Sequence, residues 1–449
     1  MLTLPEFAQP VLSSFAPVFY HPTYQRFLVL ILAAVLTTGR RTVSNLLRTA
    51  AGLAHGDASS FHRVLSKRRW STLALARILA RFILDHWVPE GPVSLAGDDT
   101  VDEHRGATVY GKGRHRDPVR STHSYTAWRW GHKWVVLAVL VKFPFASRPW
   151  ALPVLVALYR TPEWGREHGR RHKTPCELMR QLLAVLIHWS PGRRFVFAGD
   201  GGYGTHALAR FAHRHRRRLT LVSRFYPDAQ LYEPAPEVVG KRPAHRPRKK
   251  GEKRPTPEAV VATTDRTALD VSWYGGGRRD IEVVAGTGHW LKSGKGLVPV
   301  RWAFVHDVTG THRDDYFFST DTEMAPKSIV ETFTGRWSVE TTFQEMRPYL
   351  GLETTRGRSE STVLRAAPCL FGLYSVVALV YERLRSRRRS TARVDWAGKV
   401  GATFSDAMAT VRRWLWSDWV FAHHGRGEAF SKLPRARRNL LLSALAPAA

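Results

Sequence analysis

Sulfur is scarce in this chain: its 449 residues include two cysteines, Cys176 and Cys369, and five methionines. Two thiols cannot build a disulfide framework or a cysteine-based zinc site, so a reducing, cytoplasmic setting is expected. Acid is scarce too. The 37 Asp and Glu stand against 68 Lys and Arg, a net charge of +31, and the pI is about 10.9. Solubility needs far less than this; the excess suits a polyanionic partner, nucleic acid before an anionic membrane. Long apolar runs are also lacking. Residues 27–36, 134–141 and 370–380 stop well short of the roughly 20 residues of a spanning helix. The first 19 residues carry acid and prolines where a secretory signal needs a basic and then an apolar stretch. The reading is a soluble protein with no membrane partner.

What is present is apolar enough to fold: 44% hydrophobic residues, with 16 Trp. Residues 1–88 read as a helical DNA-binding region, in which SNLLRTAAGL and SSFHRVLSKRRW form a helix-turn-helix. Residues 89–228 alternate strands and helices as a mixed α/β core. VSLAGDDT is a short strand ending in Asp98 and Asp99. GKGRHRDPVRSTHSYTAWRWGHK is a basic, aromatic-laced loop in which Lys112, Arg114 and Arg116 are expected to contact DNA. RRFVFAGD is a strand ending in Asp200, and LTLVSRF is another, with Arg224 a further expected DNA contact. Residues 229–322 read as a β-rich insertion of short strands, AVVATT among them, with an exposed Pro/Lys/Arg loop at 241–257. Residues 323–385 resume the core, and residues 386–449 form a basic helical C-terminal region.

As one helix, residues 333–352 place Phe333, Arg336, Glu340, Phe343 and Arg347 within an arc of about 80° at roughly 100° per residue. Glu340 is the one acid on that face, between two guanidinium groups; Pro348 should end the face. Alone, such a pattern is more often a solvated i,i+4 pair. Asp99, Asp200 and Glu340, distant in sequence but able to converge on one sheet, change that. Acids gathered in so basic a protein need cations between them, and hard oxygen donors suit Mg²⁺ or Mn²⁺. Two such ions can activate a water or hydroxyl and stabilise the leaving oxygen of a phosphodiester.

This set resembles the DDE transposases of bacterial insertion sequences, whose core is a ribonuclease-H-like sheet. In one group the last acid lies in a signature of Tyr, two residues, Arg, three residues, Glu, six residues, Lys. Here Phe333, Arg336, Glu340 and Arg347 stand at that spacing, with Phe for Tyr and Arg for Lys. Asp99-Thr100, the Asp200 strand before a Gly-rich turn, and the β insertion are also similar; the likeness spans about residues 90–385. The resemblance implies Asp99, Asp200 and Glu340 as catalytic ligands of two Mg²⁺ or Mn²⁺ ions, with Asp98 as alternate to Asp99. It further implies phosphate contacts by Arg336, Arg347 and the Phe333 position, double-stranded DNA as partner, and a synaptic homodimer performing cut-and-paste transposition.

Two other readings compete. Gly199-Asp200-Gly201-Gly202-Tyr203-Gly204 satisfies G-x-G-x-x-G, with Arg224 available for an NADP phosphate. Asp200 would set a carboxylate against a pyrophosphate, and the next strand lacks the expected acid. The other is a non-catalytic DNA-binding relic, favoured only by Phe333. Trp273, Trp290 and Trp302 could stack on an unpaired base, but such residues are more often the core of a small β unit.

Overall fold

Five helices open the chain: α1 (Gln9–Ser13), α2 (His21–Leu36), α3 (Val43–Thr49), α4 (Ala58–Ser66) and α5 (Thr72–Trp87). Thr42, Asp57 and Ser71 start three of them, each side-chain oxygen accepting a backbone N–H of the first turn. The computed structural model describes residues 4–50, 52–117, 120–236, 249–387, 391–422 and 427–447. Residues 241–248 of the basic 241–257 loop and residues 388–390 at the start of the basic C-terminal region lie outside these residues.

The sheet begins with β1 (Val93–Glu103), β2 (Gly113–Arg116), β3 (Trp128–Val141) and β4 (Trp150–Tyr159), followed by α6 (Pro162–Glu167) and α7 (Pro175–Trp189). Then come β5 (Phe195–Gly199), α8 (His206–Arg214) and β6 (Leu219–Arg224). β3 runs antiparallel to both β1 and β4, while β5 is parallel to β1 and β6 to β5. Parallel neighbours need crossovers, supplied by α7 and α8. The resulting order, β4-β3-β1-β5-β6, is ribonuclease-H-like. Part of the segment read as a loop is ordered: residues 113–116 pair with residues 128–131 as a two-stranded ribbon.

The β-rich segment contributes β7 (Leu231–Tyr232), α9 (Pro257–Val261), β8 (Thr267–Ser272), β9 (Arg278–Lys292), β10 (Gly296–Asp307) and β11 (Asp315–Ser319). These strands do not stand apart. β11 pairs antiparallel with β6, so they extend the core into one eleven-stranded sheet. AVVATT, read as a strand, is instead the second half of helix α9 and the turn after it: Thr256 caps the helix and Pro257 fills its first turn, where a missing N–H costs nothing. Trp273, Trp290 and Trp302 are buried.

The last helices are α10 (Pro326–Gly335), α11 (Ser338–Leu350), α12 (Glu360–Ser386), α13 (Phe404–Leu415), α14 (Gly427–Lys432) and α15 (Arg435–Leu445). α12 is long and apolar enough to cross a membrane, the one such helix among the described residues, but it is mostly buried. It lies on β4, where Ser375 Oγ donates to the Pro153 carbonyl at 2.9 Å. α2, α12, α13 and the sheet share one hydrophobic core, so the N-terminal helices are not a separately packed unit.

Candidate active site

Two acids meet through strand pairing. β1 pairs with β5 from Val93–Phe195 to Gly97–Gly199, and Asp98 and Asp200 are each the next residue along. β1 continues against β3 to Glu103, so its acids lie within the strand rather than at its end. The Asp200 backbone is fixed by Ser223 Oγ, which donates to the Gly199 and Asp200 carbonyls at 2.9 and 3.0 Å. Gly204 follows of necessity: a Cβ there would lie 2.5 Å from the Arg224 carbonyl oxygen.

The third acid comes from above the sheet. Between α10 and α11 the chain makes i→i−3 hydrogen bonds, from Arg336 N–H to the Phe333 carbonyl through Glu340 N–H to the Trp337 carbonyl. This tight turn breaks the single helix expected over residues 333–352. It aims the buried Arg336 into the acids, with Nη1 2.7 Å from Asp98 Oδ2 and Nη2 2.9 Å from Glu340 Oε1 and 3.9 Å from Asp200 Oδ1. Burial pushes Asp98 up to about 7, with Arg336 opposing and Asp200 and Asp99 adding to the rise. Burial works to lower the Arg336 pKa, but Asp98, Asp200 and Glu340 outweigh it and raise it. Three carboxylates thus converge on a single cationic group. The set is all oxygen, the donor type a hard divalent ion takes, but with Arg336 among them its ligand atoms are not gathered as closely as an ion needs; the partly open Asp200 and Glu340 leave the site accessible.

Asp99 lies elsewhere. Successive strand residues face opposite sides, and Asp99 points away from Arg336, its Oδ1 2.9 Å from Lys133 Nζ. Gly97, on the Asp99 side, is tight against Met179 of α7. Thr100, on the Asp98 side, accepts from Arg347 Nη2 at 2.9 Å. The structure therefore brings Asp98, not Asp99, together with Asp200 and Glu340.

Nor does the rest of the signature face outward. Phe333 is buried, its ring centroid 4.4 Å from that of Phe317. Arg347 spends its donors inside the protein, on Thr100, the Val101 and Phe343 carbonyls, and Glu353. α11 also runs past Pro348 to Leu350. Arg224 stands beside the Asp200 turn, paired with Asp315 at 2.8 Å. Lys112, Arg114 and Arg116 lie on the β2–β3 ribbon and just before it.

One cluster escaped the sequence reading: Asp102, His104 and His132, all buried, with ligand-type atoms close enough to hold a metal ion. His104 Nε2 is 3.2 Å from Asp102 Oδ2, and His132 Nδ1 is 3.6 Å from Oδ1. His132 Nε2 also bonds the Tyr110 carbonyl at 2.9 Å, tying the 104–112 loop to β3. Asp102 lies four residues beyond Asp98, on the same strand face, and Asp-x-His was the available signal.

Sheet order and acid geometry together describe a nuclease-type site on a ribonuclease-H-like core. The chain belongs to the DDE superfamily endonucleases, whose family profile matches residues 14–280. No curated protein sequence matches it. Among solved structures it is similar to a piggyBac transposase synaptic complex with hairpin DNA, at 11% identity over 96% of this chain and 77% of that one, with a TM-score of 0.41. A likeness so loose adds nothing to the family assignment. The dinucleotide reading of residues 199–204 gains nothing from the geometry: its Asp200 carboxylate turns to Arg336.

Proposed function

We propose that this chain is a DNA transposase that binds the terminal inverted repeats of its element and cuts and rejoins DNA strands as a dimer. The observation that carries this reading is the convergence of Asp98, Asp200 and Glu340 on Arg336. These three acids would hold two Mg²⁺ or Mn²⁺ ions; bound there, the ions would activate the attacking oxygen and stabilise the leaving one. Ser223 fixes the Asp200 backbone. Arg336 keeps the three carboxylates aimed at one point and offsets their mutual repulsion. Asp99, held by Lys133, supports the strand from its other face. Helices α3 and α4 supply the helix-turn-helix that reads the repeat. α4 is bound to α12 through Arg365, which donates to the Val64 and Leu65 carbonyls, so DNA binding is tested with the full chain.

The test is strand cleavage by the full chain on duplexes carrying the inverted repeats that flank its gene. Mg²⁺ or Mn²⁺ should support cleavage and Ca²⁺, with its looser geometry, should not. Asp200→Ala and Glu340→Ala should each abolish cutting while DNA binding persists. Undiminished cutting by Asp200→Ala would overturn the reading.

A further inference from the structure

The face that carries the acids does not end at them. Asp98 pairs with Val136, Thr100 with Trp134 and Asp102 with His132. Two more steps of the same alternation along β3 reach Trp130 and Trp128, whose partners on β2 are Arg114 and Arg116. Paired residues share a face, so these four side chains stand on the acids' side of the sheet, beyond the helices that cover it. Trp128 is 48% exposed and Trp130 55%. The Arg114 guanidinium stacks over Trp128 at 4.5 Å, and Lys112 Nζ lies over Trp130 at 5.3 Å.

Charge divides this ribbon. On its other side Arg129 is neutralised by Asp117 at 2.9 Å and Glu103 at 3.2 Å. Lys112, Arg114 and Arg116 carry no ion pair among the described residues. The base of the ribbon is held firmly: buried Asp102 accepts the His132 backbone N–H at 3.1 Å, and His132 in turn binds the Tyr110 carbonyl. Exposed tryptophans flanked by unpaired cations on a fixed strand pair are costly in water and are expected where a polyanion covers them.

We propose that this ribbon grips the backbone of the DNA whose end enters the acidic site, with Arg114, Arg116 and Lys112 on phosphates. Trp128 and Trp130 hold the cations in place by stacking and pack against the sugars. The inference rests on the transposase reading and adds to it where the DNA lies. Trp130 is six residues along β3 from Val136, the partner of Asp98, a distance of about 20 Å at ~3.3 Å per residue. The ribbon should therefore cover DNA roughly six to eight base pairs from the cut, at about 3.4 Å per pair.

The experiment compares the full-length protein with Arg114→Ala/Arg116→Ala and, separately, Trp128→Ala, using labelled duplex that carries the element's end. Binding is measured against salt, together with hydroxyl-radical footprints, and melting curves check the fold. The double variant should lower the magnitude of the log–log salt slope by about 2, since each phosphate contact contributes ~0.9. It should bind ten- to a hundredfold more weakly and lose protection six to eight pairs from the cut. Trp128→Ala, with charge unchanged, should lose part of the same protection. An unchanged slope and footprint in the double variant would overturn the inference and leave the transposase reading standing. Wild-type protein that binds the duplex but cannot cut it would fail that reading while the ribbon's footprint still stands.

Discussion

Two groups of arginines lie along one face of one sheet, and they do opposite things. Arg336 and Arg347 sit among protein acceptors: the first on three carboxylates, the second on Thr100, two carbonyls and Glu353. Arg114 and Arg116, further along the same face, meet no acid among the described residues. Sequence spacing singles out the first pair because they flank Glu340, yet their charge is spent on assembling the site. The cations left for a polyanion are those of the basic stretch around Arg114, outside the signature. Net charge of +31 is thus a statement about the open residues.

This contrast breaks most visibly at Arg336. Arg336→Ala leaves Asp98, Asp200 and Glu340 facing one another without a counter-charge. The expected loss is roughly 2–4 kcal/mol, below the range for fully buried pairs because Asp200 and Glu340 are partly open. In thermal melts without divalent ions the variant should melt well below wild type, and added Mn²⁺ should recover part of the difference. Equal melting temperatures would mean that the guanidinium does not hold the acids. Arg347→Ala should cost less, about 1–3 kcal/mol from lost hydrogen bonds, and should leave the salt slope of DNA binding unchanged. A slope reduced by the ~0.9 expected of one phosphate contact would return Arg347 to the DNA-facing group. Phe333→Tyr should do least for function. Its hydroxyl enters a core of Val222, Phe317 and Ile329 and goes unsatisfied, at about 1–3 kcal/mol. Affinity for end DNA should not rise, and a tighter complex would show that the ring can turn outward.

The order of strands and helices was legible because each buried strand is a short apolar run and each crossover helix has its own start signal, such as Thr174 capping α7. Asp200 and Glu340 could be picked out by position. Asp98 and Asp99 could not be separated, because β1 is covered on both sides and no polar-apolar alternation marks which side is the site. Phe333 was misplaced for a geometric reason. The i→i−3 turn at 336–340 resets the helical phase, so a wheel drawn through residues 333–352 joins two faces that differ in space. The β-rich segment looked separate since the pairing of β11 with β6 links residues nearly a hundred positions apart. The ribbon at 113–131 was hidden by its polarity, which resembles a loop unless the period-2 pairing of Arg and Trp is known.

Everything in the site turns on Asp98 being the acid of β1 that joins Asp200 and Glu340. Mn²⁺ binding, followed by electron paramagnetic resonance on the full-length protein and its Asp98→Asn and Asp99→Asn variants, addresses this directly. Wild type and Asp99→Asn should bind alike, and Asp98→Asn should bind at least tenfold more weakly. If Asp99→Asn loses the ion while Asp98→Asn keeps it, the metal site is built from the other face of β1, and Asp98 is no part of it.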